Sequence, residues 1–171
     1  MTFPSWLRSN ARRAAVVLAP VVGLALLVII SSSSAPVRRA APPLPAQALQ
    51  GQPTTLAALH GKPALIDFFA SWCGPCVSEA PALARTERAV RGRATVLAVD
   101  WSDSPHYALG LVHRFHWAFT VLADPHGSSG YAYGIQGLPS GFVLDSDGRI
   151  VRRLIGPQSA DKLVAAIDHA G

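Results

Sequence analysis

The stretch Trp72-Cys73-Gly74-Pro75-Cys76 decides how this chain is interpreted. It contains the only two cysteines among the 171 residues, and two residues separate them. The apolar run just before it, residues 64–70, is typical of a buried strand. A Cys-x-x-Cys pair between a strand and the start of a helix is typical of a redox pair. The helix N-terminus has unpaired N–H groups and a partial positive charge, which stabilise a thiolate on Cys73.

Three other roles for the two cysteines fit the sequence less well. A zinc site needs four ligands, and no second Cys/His pair follows at a ligand-like spacing. A purely structural disulfide that closes so short a loop would restrict the unfolded chain little. Unreactive buried thiols fit poorly with the Trp, Gly and Pro around them, because these residues favour an exposed turn. The sequence therefore favours a redox role.

The N-terminal part of the chain has the pattern of an export leader. Residues 1–13 carry Arg8, Arg12 and Arg13, and residues 14–30 are an unbroken apolar run. As a helix this run extends about 26 Å, slightly less than the roughly 30 Å hydrocarbon core of a bilayer. Arginines before the run favour a cytoplasmic N-terminus. We predict a basic cytoplasmic segment at residues 1–13, a transmembrane anchor or signal sequence at 14–35, and an extracytoplasmic location for the rest.

Two outcomes are open for this leader. Ser33-Ser34-Ala35 offers the small residues that a signal peptidase needs. Pro36 directly after them, and the length of the apolar run, favour an uncleaved single-pass anchor in the cell membrane. Cleavage would instead make the protein secreted.

The positive charge of the chain lies before residue 51. The formal net charge is +5, yet from Gly51 onward 10 Lys and Arg residues face 10 Asp and Glu residues. A neutral domain lacks the basic surface that phosphate binding needs, so we expect no nucleic-acid partner. Residues 36–53 are rich in Ala and Pro, which predicts a semi-extended linker. The globular domain is therefore predicted at residues 54–171.

Strand-like and helix-like segments alternate within that domain. The predicted strands are residues 64–70, 94–101, 120–123, 142–145 and 149–155. The predicted helices are 73–90, 104–116 and 159–169, and residues 125–133 are predicted as a short helix or turn. Asp147-Gly148 predicts a tight hairpin turn between the last two strands. The expected fold class is α/β, with a mixed central sheet and helices on both faces.

This order of elements around Trp72-Cys73-Gly74-Pro75-Cys76 resembles the thioredoxin fold. It resembles most closely the membrane-anchored, extracytoplasmic thiol–disulfide oxidoreductases of the TlpA/ResA/DsbE kind. The resemblance runs from about Leu56 to the C-terminus. Besides the cysteine stretch it rests on Tyr133-Gly134-Ile135-Gln136-Gly137-Leu138-Pro139 and on Phe142-Val143-Leu144-Asp145-Ser146-Asp147-Gly148-Arg149-Ile150.

The resemblance implies a role for each residue of the cysteine turn. Cys73 would attack the substrate disulfide and Cys76 would resolve the mixed disulfide. The chemistry agrees, because the first cysteine lies at the helix N-terminus and the second lies a turn inside the helix. Gly74 and Pro75 would tune the redox poise, and Gly-Pro is the pair found in reducing relatives. Trp72 would shield the pair and contribute to the docking surface.

Two acids are the candidates for proton transfer. Asp67 lies in an apolar strand, where an acid is costly to bury. The resemblance makes Asp67 the buried proton acceptor for Cys76, and burial would raise its pKa; the alternative is an Asp on a solvated strand face. Glu79 is a second candidate, but as an isolated acid in a helix it is expected to be exposed.

The loop before the second-last strand supplies the remaining site residues. Pro139 matches the proline that is cis in this fold and packs opposite the cysteine pair. Leu138 before it would offer its backbone to a bound substrate strand. No metal site is expected, because no acid or cysteine completes a ligand set around His113 and His116. No cofactor is expected beyond the redox-active disulfide.

The predicted function is reduction of disulfides in exported proteins. Apocytochrome c is the substrate that the resemblance suggests, and a thiol-type electron donor in the membrane would supply electrons. A disulfide-forming oxidase uses the same two cysteines and is the main alternative. A copper chaperone on the same fold is a further one, although its relatives place three residues between their cysteines. A peroxidase of the superfamily would need Pro-x-x-x-Thr-x-x-Cys, which is absent here.

Overall fold

The computed structural model describes residues 38–171. The predicted cytoplasmic segment at 1–13 and the predicted anchor at 14–35 lie outside the described residues. None of the helices within residues 38–171 combines the length and the hydropathy needed to cross a bilayer.

A seven-stranded sheet forms the centre of the domain. Its strands are β1 (Arg39–Ala40), β2 (Ala48–Gln50), β3 (Ala64–Phe69), β4 (Thr95–Trp101), β5 (Thr120–Asp124), β6 (Ser140–Leu144) and β7 (Arg149–Ile155). Its helices are α1 (Gly74–Val90), α2 (Pro105–Arg114), α3 (Ser128–Tyr133) and α4 (Ala160–Asp168), and a 3₁₀ turn covers Leu56–Leu59. The strand order is β1-β7-β6-β3-β4-β5-β2.

The sheet is mixed, as the sequence predicts. The central strand β3 pairs parallel with β4 and antiparallel with β6, while β6 and β7 form the predicted antiparallel hairpin. The register places Phe68 of β3 opposite Ser140, the first residue of β6. The turn after β3 and the loop before β6 therefore lie at the same end of the sheet.

Side chains of β3 alternate between the two faces of the sheet. Leu65 and Phe69 pack in a cluster with residues of α1, α2 and α4, and Ile66 and Phe68 pack on the other face with residues of α3 and the 3₁₀ turn. Full burial of each such side chain stabilises the fold by roughly 1.5–3 kcal/mol. Helices on both faces confirm the predicted layers, and strand parity turns Asp67 toward the face that carries α1.

Residues 36–53, predicted as a linker, contribute two strands to this sheet. β1 pairs with β7 and β2 pairs with β5, at opposite edges. Pro42, Pro43 and Pro45 lie between the two strands, where they interrupt no ladder hydrogen bond. The side chain of Gln50 also donates hydrogen bonds to the carbonyls of Trp117 and Phe119. The structured domain therefore begins well before residue 54: an extended linker and an edge strand share backbone geometry, so composition did not separate them.

Candidate active site

The two cysteines lie at the junction between the end of β3 and the start of α1. They form a disulfide, with their Cα atoms 5.2 Å apart. Cys73 is the N-cap of α1, and its sulfur accepts a hydrogen bond from the backbone N–H of Cys76 at 3.2 Å. Cys73 is 6% exposed and Cys76 is 2% exposed, whereas Gly74 and Pro75 between them face solvent. Cys73 is therefore the more exposed residue of the pair, and it lies in the field of the helix N-terminus.

Asp67 is buried, at 2% exposure, on the same sheet face as α1. Its Oδ2 atom has no hydrogen-bond partner. Gly141 lies opposite it on β6, and a Cβ atom there would come within 3.6 Å of the Asp67 Oδ1 atom. Burial raises the pKa of Asp67 well above its ordinary value, and the nearby Glu79 carboxylate raises it further. The solvated alternative for Asp67 is wrong.

Glu79 is also buried, so the sequence-based expectation of an exposed side chain is wrong. It is 2% exposed, one helical turn after Cys76. Its Oε1 atom accepts a hydrogen bond from the backbone N–H of Gln158 at 2.7 Å, and its Oε2 atom has no partner. Burial raises the pKa of Glu79 from 4.5 to about 7, although the Gln158 hydrogen bond opposes this shift.

The sequence contains a pattern that indicates burial of Glu79. Positions 76, 79 and 83 are spaced by three and four residues, so Cys76, Glu79 and Leu83 share one face of α1. Cys76 and Leu83 are both buried on that face. Asp67 and Glu79 thus form a pair of buried carboxyl groups behind the second cysteine. Two such groups close together cannot both ionise cheaply, so the charge of each favours the protonated form of the other.

The peptide bond between Leu138 and Pro139 is cis, which confirms the sequence prediction. The Ser140 hydroxyl donates a hydrogen bond to the Gly137 carbonyl at 2.8 Å, and the Pro139 carbonyl accepts one from the Gly156 N–H at 3.0 Å. Leu138 is half-buried and packs against both core clusters. These contacts fix the loop at the end of the sheet that carries the cysteine turn.

Trp72 lies in the cysteine turn with 61% of its surface exposed. Its indole N–H donates to the Ser102 carbonyl at 3.3 Å, which directs the ring toward the loop between β4 and α2. The backbone N–H of Ser71 donates to the Asp103 carboxylate at 2.6 Å. The turn is therefore anchored to the β4–α2 loop at two consecutive residues.

Asp103 belongs to a second group of acids, which the sequence patterns did not single out. Asp100, at the end of β4, is 1% exposed, and its Oδ1 atom has no partner. Burial raises the pKa of Asp100 to about 8, with Asp103 as the next cause. Asp124, at the end of β5, accepts hydrogen bonds from the Gly130 N–H and the Ser128 hydroxyl. The missed signal was an acid inside an apolar run, the same feature that identified Asp67.

No three His, Cys, Asp or Glu side chains within residues 38–171 are grouped so that they could hold a metal ion. The histidine positions noted in the sequence, His113 and His116, therefore gain no support as ligands from the described part of the chain.

Comparison with known proteins relates the chain to thiol–disulfide exchange proteins. It is 37% identical over 109 residues to the thiol:disulfide interchange protein HelX of Rhodobacter capsulatus, a match that covers 63% of this chain and 60% of that relative. It is 30% identical over 164 residues to DsbE of Allochromatium vinosum, covering 90% of both chains. The chain thus spans less than two thirds of HelX and nearly all of this DsbE.

Solved structures show the same fold. A DsbE-type thiol:disulfide interchange protein from Chlorobium tepidum superposes with a TM-score of 0.70 at 28% identity, covering 78% of this chain and 96% of that one. A secreted disulfide oxidoreductase of Mycobacterium tuberculosis gives a TM-score of 0.66 at 26% identity, covering 74% and 95%. Residues 29–168 match the Redoxin family. On this evidence the chain belongs to the Redoxin family and has a thioredoxin-like fold.

Proposed function

We propose that this protein is an extracytoplasmic thiol–disulfide oxidoreductase that reduces disulfides in exported proteins through Cys73 and Cys76. The observation that carries the proposal is the position of the pair. Cys73 caps α1 and is the more exposed cysteine, and two buried carboxyl groups lie behind Cys76. The interchange activity in the names of HelX and DsbE supports it.

The proposed reaction moves two electrons in two exchange steps. The Cys73 thiolate attacks one sulfur of the substrate disulfide, that S–S bond breaks, and the departing substrate sulfur takes up a proton. Cys76 then loses its proton and attacks the Cys73 sulfur, which releases the second substrate thiol. The substrate disulfide becomes two thiols, and the two cysteines become the disulfide seen in the structure.

The proton of Cys76 is the one that the protein must accept. Asp67 and Glu79 are buried carboxyl groups with raised pKa values, and each has one oxygen without a hydrogen-bond partner. A carboxylate that is poised near neutral pH accepts a thiol proton more readily than one with an ordinary pKa. We assign proton acceptance to this pair, with Asp67 as the principal group and Glu79 as its partner.

The proposal also assigns a substrate-binding surface, a cellular location and a substrate. Trp72, Gly74, Pro75 and the backbone of Leu138 before cis-Pro139 form the surface that meets the substrate. The predicted anchor at residues 14–35 would hold the domain outside the cytoplasm, close to a thiol-type electron donor in the membrane. Apocytochrome c is the leading substrate that the family resemblance implies.

The reduction potential of the full chain tests the direction of electron flow. We expect a value near the roughly −270 mV of thioredoxin, together with reduction of insulin disulfides that Cys73→Ser and Cys76→Ser both abolish. A value near −120 mV would favour the alternative, a disulfide-forming oxidase.

A further inference from the structure

A groove of about 250 Å³ adjoins the cysteine turn on the side of α2. Its walls are Ser71, Val77, Tyr107, Gly110, Leu111 and Arg114. Ser71 lies two residues before Cys73, and Val77 directly follows Cys76. The groove therefore lies beside the cysteine turn, between that turn and α2.

One face of α2 forms the outer wall of this groove. Tyr107, Gly110, Leu111 and Arg114 follow the spacing i, i+3, i+4 and i+7, which places them in one stripe along a helix. Tyr107 is 65% exposed, and a Cβ atom at Gly110 would meet nothing within 4 Å. The stripe thus leaves open space, and exposed Tyr and Arg side chains are the types that dominate binding energy at interfaces.

Arg114 brings a positive charge to this groove without a matching carboxylate. Within residues 38–171 it forms no ion pair, and its guanidinium lies 5.1 Å from the centre of the Phe115 ring. Residues 104–119 contain no acid. The acid next to the groove, Asp103, already accepts the N–H groups of Ser71 and Ser104. Arg114 therefore offers this groove an unpaired positive charge, which an acidic side chain of a ligand would complement.

We propose that this groove is a substrate subsite for the segment that flanks the reacting cysteine, and that Arg114 selects an acidic side chain in that segment. The proposal rests on the proposed function, because the substrate must be a disulfide-bearing polypeptide. An extended peptide advances about 3.3 Å per residue, so an acid within three residues of the cysteine lies within about 10 Å of the reacting sulfur. Tyr107 would cover the neighbouring residue of the peptide.

A peptide panel tests this subsite with the reduced full chain. Disulfide-bridged peptides carry one Asp or one Lys, moved through the three positions on each side of the cysteine, and kcat/KM for reduction is measured for each. We expect Asp to be favoured over Lys about tenfold at one or two adjacent positions on one side. Arg114→Lys should keep the preference, and Arg114→Glu should invert it.

Two further variants separate a local subsite from general charge effects. Arg85→Glu makes the same charge change on the exposed surface of α1 and should leave the Asp/Lys ratio within twofold of the wild-type ratio. Gly110→Leu fills the groove and should remove the preference, while the thermal unfolding temperature stays the same or rises because glycine is a poor helix former.

The outcomes separate this inference from the proposed function. Equal shifts of the ratio in Arg114→Glu and Arg85→Glu would overturn the subsite, since long-range attraction would then explain them. A wild-type protein that reduces insulin but shows no Asp/Lys preference would also overturn the subsite and leave the proposed function intact. Failure of the wild-type protein to reduce any disulfide would overturn both.

Discussion

Two pairs of carboxyl groups lie at this end of the sheet, and they differ in their hydrogen-bond partners. Asp103, in the loop after β4, and Asp124, at the end of β5, each accept hydrogen bonds from backbone N–H groups. Asp67 and Glu79, behind Cys76, each keep one oxygen atom without a partner. The difference separates two uses of an acidic side chain. Asp103 thereby holds the cysteine turn, whereas burial of Asp67 and Glu79 favours their protonated forms.

The largest expected effect comes from Asp67→Asn. Asparagine keeps the size of the side chain but cannot accept the Cys76 proton, so decay of the mixed disulfide should slow about 100-fold at pH 7. The decay is measured by rapid quenching after mixing the reduced protein with a disulfide peptide. Asp147→Asn, the same change at an exposed turn, is the matched control and should leave the rate unchanged. A rate for Asp67→Asn within twofold of wild type would remove Asp67 from the mechanism.

The next effect is a pH dependence of stability carried by Glu79. Its pKa is raised on folding, so ionisation of Glu79 destabilises the native state as the pH rises from 4.5 to about 7. Glu79→Gln removes this cost and retains an oxygen that can accept the Gln158 N–H. The free energy of unfolding of the variant should match that of wild type at pH 4 and exceed it by about 3 kcal/mol above pH 7.

Urea denaturation of the oxidised protein between pH 4 and 9 measures this difference. Glu87→Gln serves as the control, because Glu87 is a partly exposed acid of α1 that pairs with the exposed Arg91, and it should change stability by less than about 1 kcal/mol. A constant difference between Glu79→Gln and wild type at all pH values would show that Glu79 does not titrate on folding as described.

A smaller effect is expected from Asp103, whose carboxylate accepts two backbone hydrogen bonds. Asp103→Ala leaves the Ser71 and Ser104 N–H groups without an acceptor, which should lower the free energy of unfolding by about 1–3 kcal/mol. Amide hydrogen exchange at Ser71 should accelerate, because its N–H loses the 2.6 Å hydrogen bond. Asp147→Ala is the control. Unchanged exchange at Ser71 would show that Asp103 does not anchor the cysteine turn.

Much of this arrangement could be predicted from local sequence. Cys73, Cys76 and Asp67 stand in or beside one apolar strand, and the hairpin around Asp147-Gly148 follows from turn chemistry. The cis bond before Pro139 came from the family resemblance. Each of these features depends on a few residues that are close in sequence, so a short sequence motif identifies it.

The features that escaped prediction depend on long-range contacts. Glu79 is buried because the loop before α4 covers it, and the Gln158 N–H that reaches it is 79 residues away. β1 and β2 are strands because distant β7 and β5 offer them free edges. Asp103 matters because it meets Ser71 across 32 residues. The local amino-acid composition around each of these residues does not identify its distant partner.

Trapping of substrate tests the central claim, that Cys73 attacks and Cys76 resolves. The full-length Cys76→Ser and Cys73→Ser variants are expressed in the native membrane, and covalent adducts are compared on non-reducing gels. Cys76→Ser should accumulate mixed disulfides through Cys73, because no second thiol can release them, and Cys73→Ser should accumulate none. Equal trapping by the two variants would contradict the assignment of attacker and resolver.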